Sequence, residues 1–208
     1  MQTSKADPRY LNEPITAQKL DAYLIEYSEK LIQALRTVTQ EMLEPILDVL
    51  QTAIEKNFKI YVAGNGGSAA IADHLTCDWT KGTHVQDKPA LKVFSLASNS
   101  ALLTAAANDF GYDFSFSKQI EMYGQKGDVL VLISSSGNSP NILEAAKMAI
   151  QKEMTILGFS GFSGGKLKEF AHYNLHIPIK NYGIVEDAHQ MLMHVLAQFL
   201  AKKRDSHT

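Results

Sequence analysis

The chain has little of the chemistry that marks secreted, membrane-spanning or nucleic-acid-binding proteins. Its 208 residues include one cysteine, Cys77, so an intramolecular disulfide is excluded and a reducing compartment is favoured. No apolar run approaches the roughly 18 residues of a membrane span, and the first residues lack the apolar core of a secretory signal. Twenty Lys and Arg against 22 Asp and Glu give a net charge of −2, without the basic excess of nucleic-acid-binding proteins. We therefore expect a cytoplasmic protein with no nucleic-acid or membrane partner.

The N-terminal quarter of the chain predicts two helices. Residues 1–15 are expected to be an irregular lead-in, and a helix follows with Thr16 as its N-cap. Its apolar residues alternate in steps of four and three at Leu20, Leu24, Tyr27, Leu31, Ala34 and Val38. A second helix is predicted over residues 41–56. The apolar seam has two interpretations of equal weight: the helices cover the core of their own chain, or they pack against another subunit.

From residue 58 onward, short apolar strands alternate with helices. Strands are predicted at residues 59–63, 91–96, 128–133, 155–159 and 174–179, with a long last helix over residues 184–202. Continuous apolar strands separated by helices indicate a parallel sheet covered on both faces. The predicted fold is α/β: a three-layer, doubly wound (flavodoxin-like), five-stranded parallel sheet preceded by the N-terminal helical pair. We expect residues 1–57 to be a helical extension of the same domain that makes oligomer contacts, and residues 58–208 to form the α/β part.

A glycine-rich loop follows the first predicted strand. Consecutive glycines at Gly66 and Gly67, with Ser68 opening a helix, let backbone N–H groups approach an anion. The spacing also fits a dinucleotide-binding fingerprint, which requires an acidic residue at the end of the second strand. That strand ends without one, so we predict no nucleotide cofactor.

A serine-rich loop follows the third predicted strand. Ser134, Ser135, Ser136 and Ser139 stand immediately before a helix that starts at Pro140. One serine is enough to cap a helix, whereas four hydroxyls at a helix N-terminus favour a phosphate site.

Two helices carry side chains that suit a metal ion. His74 and Asp78 are four residues apart and share a helix face. On the last helix Asp187 nearly superposes on His194, and Glu186 lies about 80° around the helix from His194. Two histidines and two carboxylates can form a tetrahedral zinc site, although such pairs are more often exposed side chains. We interpret Cys77 as small core packing and not as a ligand.

Several blocks in order resemble the SIS (sugar isomerase) domain family, and within it the phosphoheptose isomerases. The resemblance runs from the two leading helices nearly to the C-terminus, so residues 58–208 would be the SIS domain. Its carriers are the stretches 64–70 (GNGGSAA), 107–112 (ANDFGY), 127–130 (GDVL), 133–139 (ISSSGNS) and 164–166 (GGK).

The resemblance implies positions for the functional residues. Substrate contacts would fall on Gly66, Gly67, Ser68, Asn108, Asp109, Ser134, Ser135, Ser136, Ser139 and Glu186. One zinc ion per subunit would be held by His74, Asp78, Glu186 and His194, with Asp78 as the base and His194 as its acid–base partner. The family has glutamate where this chain has Asp78, and glutamine where it has Glu186. Asp187 is an alternative ligand to Glu186.

The resemblance also implies an activity and an assembly. The expected enzyme is a homotetramer, with sites shared between subunits, that converts sedoheptulose 7-phosphate to D-glycero-D-manno-heptose 7-phosphate through an enediol. This reaction feeds activated-heptose and surface polysaccharide (lipopolysaccharide) biosynthesis. The alternatives are a non-enzymatic SIS-domain sensor of sugar phosphates, a tetrameric adaptor, and an isomerase of another sugar phosphate such as a pentose or hexose phosphate.

Overall fold

The computed structural model describes residues 15–205, and the expected lead-in lies outside them except for residue 15. Helices α1 (Leu20–Leu35) and α2 (Gln40–Lys56) precede the first strand. The remaining elements are β1 (Lys59–Gly64), α3 (Gly67–Cys77), β2 (Lys92–Ser95), α4 (Ser100–Phe110), α5 (Ser115–Tyr123), β3 (Val129–Ser134), α6 (Pro140–Gln151), β4 (Thr155–Gly161), α7 (Leu167–Phe170), β5 (Tyr173–Ile177) and α8 (Tyr182–Asp205). A π-helical turn (Asp78–Gly82) extends α3, and a 3-10 turn (Tyr112–Phe114) joins α4 to α5.

The five strands form one parallel sheet in the order β2-β1-β3-β4-β5. This is the flavodoxin-like order, and it confirms the predicted fold class. The strand order reverses between β1 and β3, because the chain passes from β1 outward to β2 on one side and from β3 outward to β4 on the other. Ligands bind at such a switch point, outside the carboxyl ends of the strands. The glycine loop follows β1 and the serine loop follows β3, so the fold places both at this point.

Two apolar cores cover the two faces of the sheet. One consists of inward side chains from α1, α2, α3 and α8 with alternate residues of the strands, among them Ile60, Val62 and Val131. The other consists of side chains from α5, α6 and α7 with the remaining strand residues, among them Leu130 and Leu132. Because every residue of β3 is buried, this strand reads as an unbroken apolar run in the sequence.

The N-terminal helix divides its apolar seam between two surroundings. Tyr27, Leu31 and Leu35 pack against the core, as does Val38 after the end of the helix, whereas Leu20 is 85% exposed and Leu24 is 64% exposed. The predicted N-cap is wrong: α1 begins at Leu20, and the backbone N–H and hydroxyl of Thr16 instead donate to the Glu26 carboxylate.

The prediction that Cys77 packs in the core is wrong, because this residue is exposed at the end of α3.

Among residues 15–205, no helix combines the length and the apolar character needed to cross a membrane.

Candidate active site

The glycine and serine loops enclose a small polar cavity at the switch point. The cavity has a volume of about 150 Å³. Its lining includes hydroxyls from both loops and one carboxylate from α8, contributed by Asn65, Ser68, Ile133, Ser134, Ser135, Ser136, Ser139, Tyr182 and Glu186. The structure therefore brings together the serines that the sequence singled out on two separate loops.

The start of α3 has two glycines where the loop enters the helix. Gly66 adopts a φ of +55°, a conformation that side chains disfavour, and stands at the N-cap position without a capping side chain. A Cβ on Gly67 would collide with the carboxylate of Glu186. The space beside Gly66 is open, whereas the missing side chain of Gly67 makes room for the Glu186 carboxylate next to the N-terminal end of the helix.

Ser135 and Ser139 of the serine loop keep their hydroxyls out of helix capping, whereas the Ser136 hydroxyl accepts a hydrogen bond of 3.2 Å from the Asn138 N–H. Ser139 is the N-cap of α6 but makes no side-chain capping bond, so capping does not explain it. Its hydroxyl lies 3.4 Å from that of Ser134. The hydroxyl of Ser135 is buried and has no hydrogen-bond partner. A buried hydroxyl without a partner is costly, and a bound phosphate oxygen would satisfy it.

The loop of the fifth resemblance block supports the serine loop from behind. A Cβ on Gly137, whose φ is +66°, would collide with the carbonyl oxygen of Gly164. The carbonyl of Gly137 accepts a hydrogen bond of 2.9 Å from the N–H of Leu167. Two glycine-containing backbones therefore pack directly on each other, and this contact sets the shape of the serine loop.

An amide pair connects the two loops. Asn65, after β1, and Asn141, in the first turn of α6, exchange hydrogen bonds of 2.8 and 2.9 Å. The hydroxyl of Tyr112 donates to Asn65 Oδ1 at 2.8 Å. Sequence reasoning assigned no role to these three residues, although Asn65 and Tyr112 lie in the resemblance blocks.

A second polar group lies where α3 packs on α8. His74, Asp78 and His194 place ligand atoms within 4.8 Å of one another. Asp78 Oδ2 is 3.2 Å from His194 Nε2 and 3.6 Å from His74 Nε2. The Asp78 and His194 side chains are about one-third exposed, so a substrate can reach them.

Glu186 and Asp187, near the start of α8, lie apart from this group. Glu186 lines the polar cavity, and burial, followed by the nearby charge of Asp187, raises the pKa of its carboxyl. Asp187 Oδ2 accepts a hydrogen bond of 2.6 Å from the hydroxyl of Tyr27 on α1. Burial and this bond raise the pKa of Tyr27, so its phenol stays a donor. Asp187 thus anchors α1 in this structure.

The remaining predicted substrate residues stand at the C-terminal end of α4. Asn108 and Asp109 are both exposed, and the Asn108 amide donates to Asp109 Oδ1 at 2.9 Å. Neither is part of the cavity lining.

Sequence reasoning missed two residues beside the polar group. The amide of Gln190 lies between His74 and His194, and its position four residues before His194 was the available signal. Trp79 is fully buried directly after Asp78 and donates from its indole to the Met193 carbonyl.

Known proteins share both the sequence pattern and this architecture. The SIS domain family matches residues 23–161. Phosphoheptose isomerase 1 from Campylobacter jejuni is 35% identical over 172 residues, covering 83% of this chain and 91% of that protein. A phosphoheptose isomerase from Synechocystis is also 35% identical, over 177 residues, with 83% and 91% covered.

Solved structures agree with the sequence relatives. Phosphoheptose isomerase GmhA from Neisseria gonorrhoeae has a TM-score of 0.80 and 29% identity, covering 88% of this chain and all of that one. A phosphoheptose isomerase from Francisella tularensis has a TM-score of 0.80 and 27% identity, with 89% of this chain covered. The chain therefore belongs to the SIS domain family, and its close homologues within that family are phosphoheptose isomerases.

Proposed function

We propose that the protein is an aldose–ketose isomerase that converts sedoheptulose 7-phosphate to D-glycero-D-manno-heptose 7-phosphate. The observation that carries this proposal is the placement of two different polar sites along the same helix pair. The polar cavity at the switch point, which would hold the anion, is lined by Glu186. The acid–base group consists of His74, Asp78 and His194, and His194 lies eight residues, or about 12 Å, further along α8 than Glu186. A heptose 7-phosphate likewise has its phosphate and its reacting carbons at opposite ends of the chain.

Isomerisation moves one proton between two neighbouring carbons. Asp78 would remove a proton from C1, the C1–H electrons would form the C1–C2 double bond, and His194 would donate a proton to the C2 oxygen. Return of a proton to C2, with loss of the C1 hydroxyl proton, then gives the aldehyde. The 3.2 Å between Asp78 Oδ2 and His194 Nε2 supports joint action on adjacent atoms.

The cavity would hold the phosphate end of the substrate. Its partners would be the hydroxyls of the serine loop and Ser68, together with backbone N–H groups beside Gly66 and Gly67. This binding is remote from the bonds that change, and it would orient C1 and C2 against Asp78 and His194. Asn108 and Asp109 remain proposed substrate contacts on the basis of the resemblance.

The polar group also fits a zinc ion. Two imidazole nitrogens and a carboxylate oxygen converge in it, which is a donor set typical of catalytic zinc sites with an open position. We propose His74, Asp78 and His194 as ligands. Glu186, the fourth ligand that the resemblance implies, instead lines the cavity at the serine loop and lies apart from these three. When bound, zinc would polarise the substrate carbonyl.

Two departures from the family pattern affect this site. Asp78 is one methylene shorter than the family's glutamate, yet its carboxylate reaches His194. Glu186 adds a negative charge to the cavity in place of a neutral amide. Burial, followed by the nearby charge of Asp187, raises the pKa of this carboxyl above its usual value.

We further propose the homotetramer, with residues 1–57 contributing to its contacts. Exposed apolar side chains on α1 and α8 support this assembly: Leu20, Leu24, Ile25, Ile32, Met191, Val195 and Phe199. Asn108 and Asp109 do not line the cavity of their own chain. In sites shared between subunits, they would contact a substrate bound by a neighbouring subunit. The expected setting is the cytoplasm, with supply of activated heptose for surface polysaccharide.

One assay tests the activity. Metal-replete protein is incubated with sedoheptulose 7-phosphate, and formation of the aldose phosphate is followed, with a pentulose phosphate and a hexulose phosphate in parallel. We expect turnover of the heptulose phosphate at the highest kcat/KM. Turnover of a shorter sugar alone would support the isomerase of another sugar phosphate. Tight binding without any turnover would overturn the enzyme proposal and support a sensor.

A further inference from the structure

Gln190 occupies a position between the two histidines of the acid–base group. It lies on α8, one helical turn before His194, and is half-buried. Its side-chain nitrogen is 2.7 Å from His74 Nδ1 and 3.4 Å from His194 Nε2. One flexible amide therefore contacts both rings.

The two ring nitrogens of His74 face different partners. Nε2 lies 3.6 Å from Asp78 Oδ2 and 3.5 Å from His194 Nε2, toward the centre of the group. Nδ1 faces Gln190. The imidazole is thus held from its outer side, with its inner nitrogen directed at the place where a cation would bind.

A histidine that binds a cation needs such an outer partner. When Nε2 is the ligand atom, the ring proton is on Nδ1, and that N–H must donate. The carbonyl oxygen of Gln190 can accept it, because a half-turn of the terminal amide exchanges its nitrogen and oxygen. Without a cation, the amide N–H donates to Nδ1. The amide suits both states, which a purely accepting or purely donating group would not.

We propose that Gln190 is a positioning residue for the metal site, fixing the ring orientation and the tautomer of His74 so that Nε2 points at Asp78 and His194. This inference rests on the metal centre in the proposed function. It concerns metal affinity and not the identity of the sugar, so the two can fail separately.

The test measures zinc binding without any sugar. Metal-free wild type, Gln190→Leu and Gln190→Asn are titrated with Zn²⁺ against a chromophoric chelator. Leu keeps most of the volume but cannot hydrogen-bond, and Asn keeps the amide but is one methylene too short. We expect both substitutions to raise Kd by roughly 10- to 100-fold, the usual cost of losing the outer partner of a ligating histidine. Gln198→Leu, at an exposed glutamine of the same helix, should leave Kd unchanged.

A second readout separates positioning from general damage. Nitrogen-15 NMR of the zinc-loaded wild type should show His74 protonated on Nδ1 and protected from exchange, and that signal should broaden in both variants. Wild-type Kd in Gln190→Leu, or an unchanged His74 signal, would overturn the proposal. If the wild type binds no zinc, the proposal also falls, whatever the isomerase assay gives.

Discussion

The indole N–H of Trp79 donates a hydrogen bond of 3.1 Å to the backbone carbonyl of Met193. Each of these residues directly neighbours a member of the acid–base group, Trp79 following Asp78 and Met193 preceding His194. Trp79 is the one buried residue of the π-helical turn that extends α3, and its backbone carbonyl accepts a hydrogen bond from the Thr83 hydroxyl. This single bond therefore ties the two backbones that present Asp78 and His194.

Trp79→Phe should lower kcat more than it lowers phosphosugar affinity. Phenylalanine fills most of the site but cannot donate, which should cost about 1 kcal/mol of unfolding free energy. The loosened contact between α3 and α8 should reduce kcat by roughly tenfold, because small misplacements of catalytic groups are expensive. Urea unfolding and steady-state kinetics measure the two effects. Ile120→Val, with a similar stability loss on the opposite face of the sheet, should leave kcat unchanged. An equal loss of kcat in Trp79→Phe and Ile120→Val would contradict the role of Trp79 in positioning Asp78 and His194.

His194→Ala should abolish proton transfer while the phosphosugar still binds. Loss of a general acid–base group costs about 10²- to 10⁴-fold in kcat. The cavity lies about two helical turns away along α8, so the dissociation constant from calorimetry should change little. His84→Ala, at an exposed histidine, is the matched control and should behave as wild type. Unchanged turnover in His194→Ala would remove this residue from the mechanism.

Ser135→Ala should weaken binding of the phosphorylated substrate while leaving the stability of the fold unchanged or higher. The native hydroxyl is buried without a partner, so its removal should leave unfolding free energy unchanged or raise it by up to about 1 kcal/mol. A lost hydrogen bond to a charged phosphate should raise KM by roughly tenfold or more. Thermal unfolding and kinetics test the pair. A destabilised variant with wild-type KM would show that the hydroxyl serves the fold alone.

Glu186→Gln should tighten binding of the phosphorylated substrate. The substitution removes a carboxylate from the cavity that would hold the phosphate, and we expect KM to fall by roughly fivefold, equivalent to about 1 kcal/mol. Because burial raises the pKa of Glu186, the wild type should approach the variant's KM as pH falls, and the difference should grow at higher pH. A KM difference that does not depend on pH would contradict the charge explanation.

The buried His189 should make the fold sensitive to mild acid. Its Nε2 lies 3.2 Å from the Ser160 carbonyl, and complete burial lowers its pKa from 6.5 to about 4. As pH falls, the histidine of the unfolded chain is therefore protonated before that of the folded chain. The contribution of neutral His189 to the free energy of unfolding is complete above pH 6.5 and is lost as pH drops toward 4, by about 3 kcal/mol in all.

His189→Gln should flatten that part of the pH profile. Glutamine can keep the donor to Ser160 but does not titrate, and urea unfolding at several pH values measures the slope. The half-buried His176 on β5, whose pKa burial also lowers, should leave a smaller residual slope. His84→Gln, at an exposed histidine, is the control and should retain the full wild-type slope. A wild-type slope in His189→Gln would contradict the assignment of this pH dependence to His189.

Local patterns predicted the elements that depend on one stretch of chain. Strand β3 is buried at every position, so its apolar run was readable, and α6 begins at Pro140 as predicted. The start of α1 was misplaced because Thr16 bonds to Glu26 ten residues away, which no capping pattern reports.

By itself, the sequence determined the α/β class, the glycine-rich and serine-rich loops, and the pairing of His74 with Asp78, because each depends on residues close together in the chain. Only the tertiary structure decided which distant groups meet. Docking of α3 on α8 brings His194 to Asp78 and places Gln190 against His74, across more than a hundred residues. The same docking directs Glu186 to the cavity and Asp187 to Tyr27. Helix periodicity specifies the angle between side chains on one helix, whereas their partners depend on how the packed cores orient that helix against its neighbours.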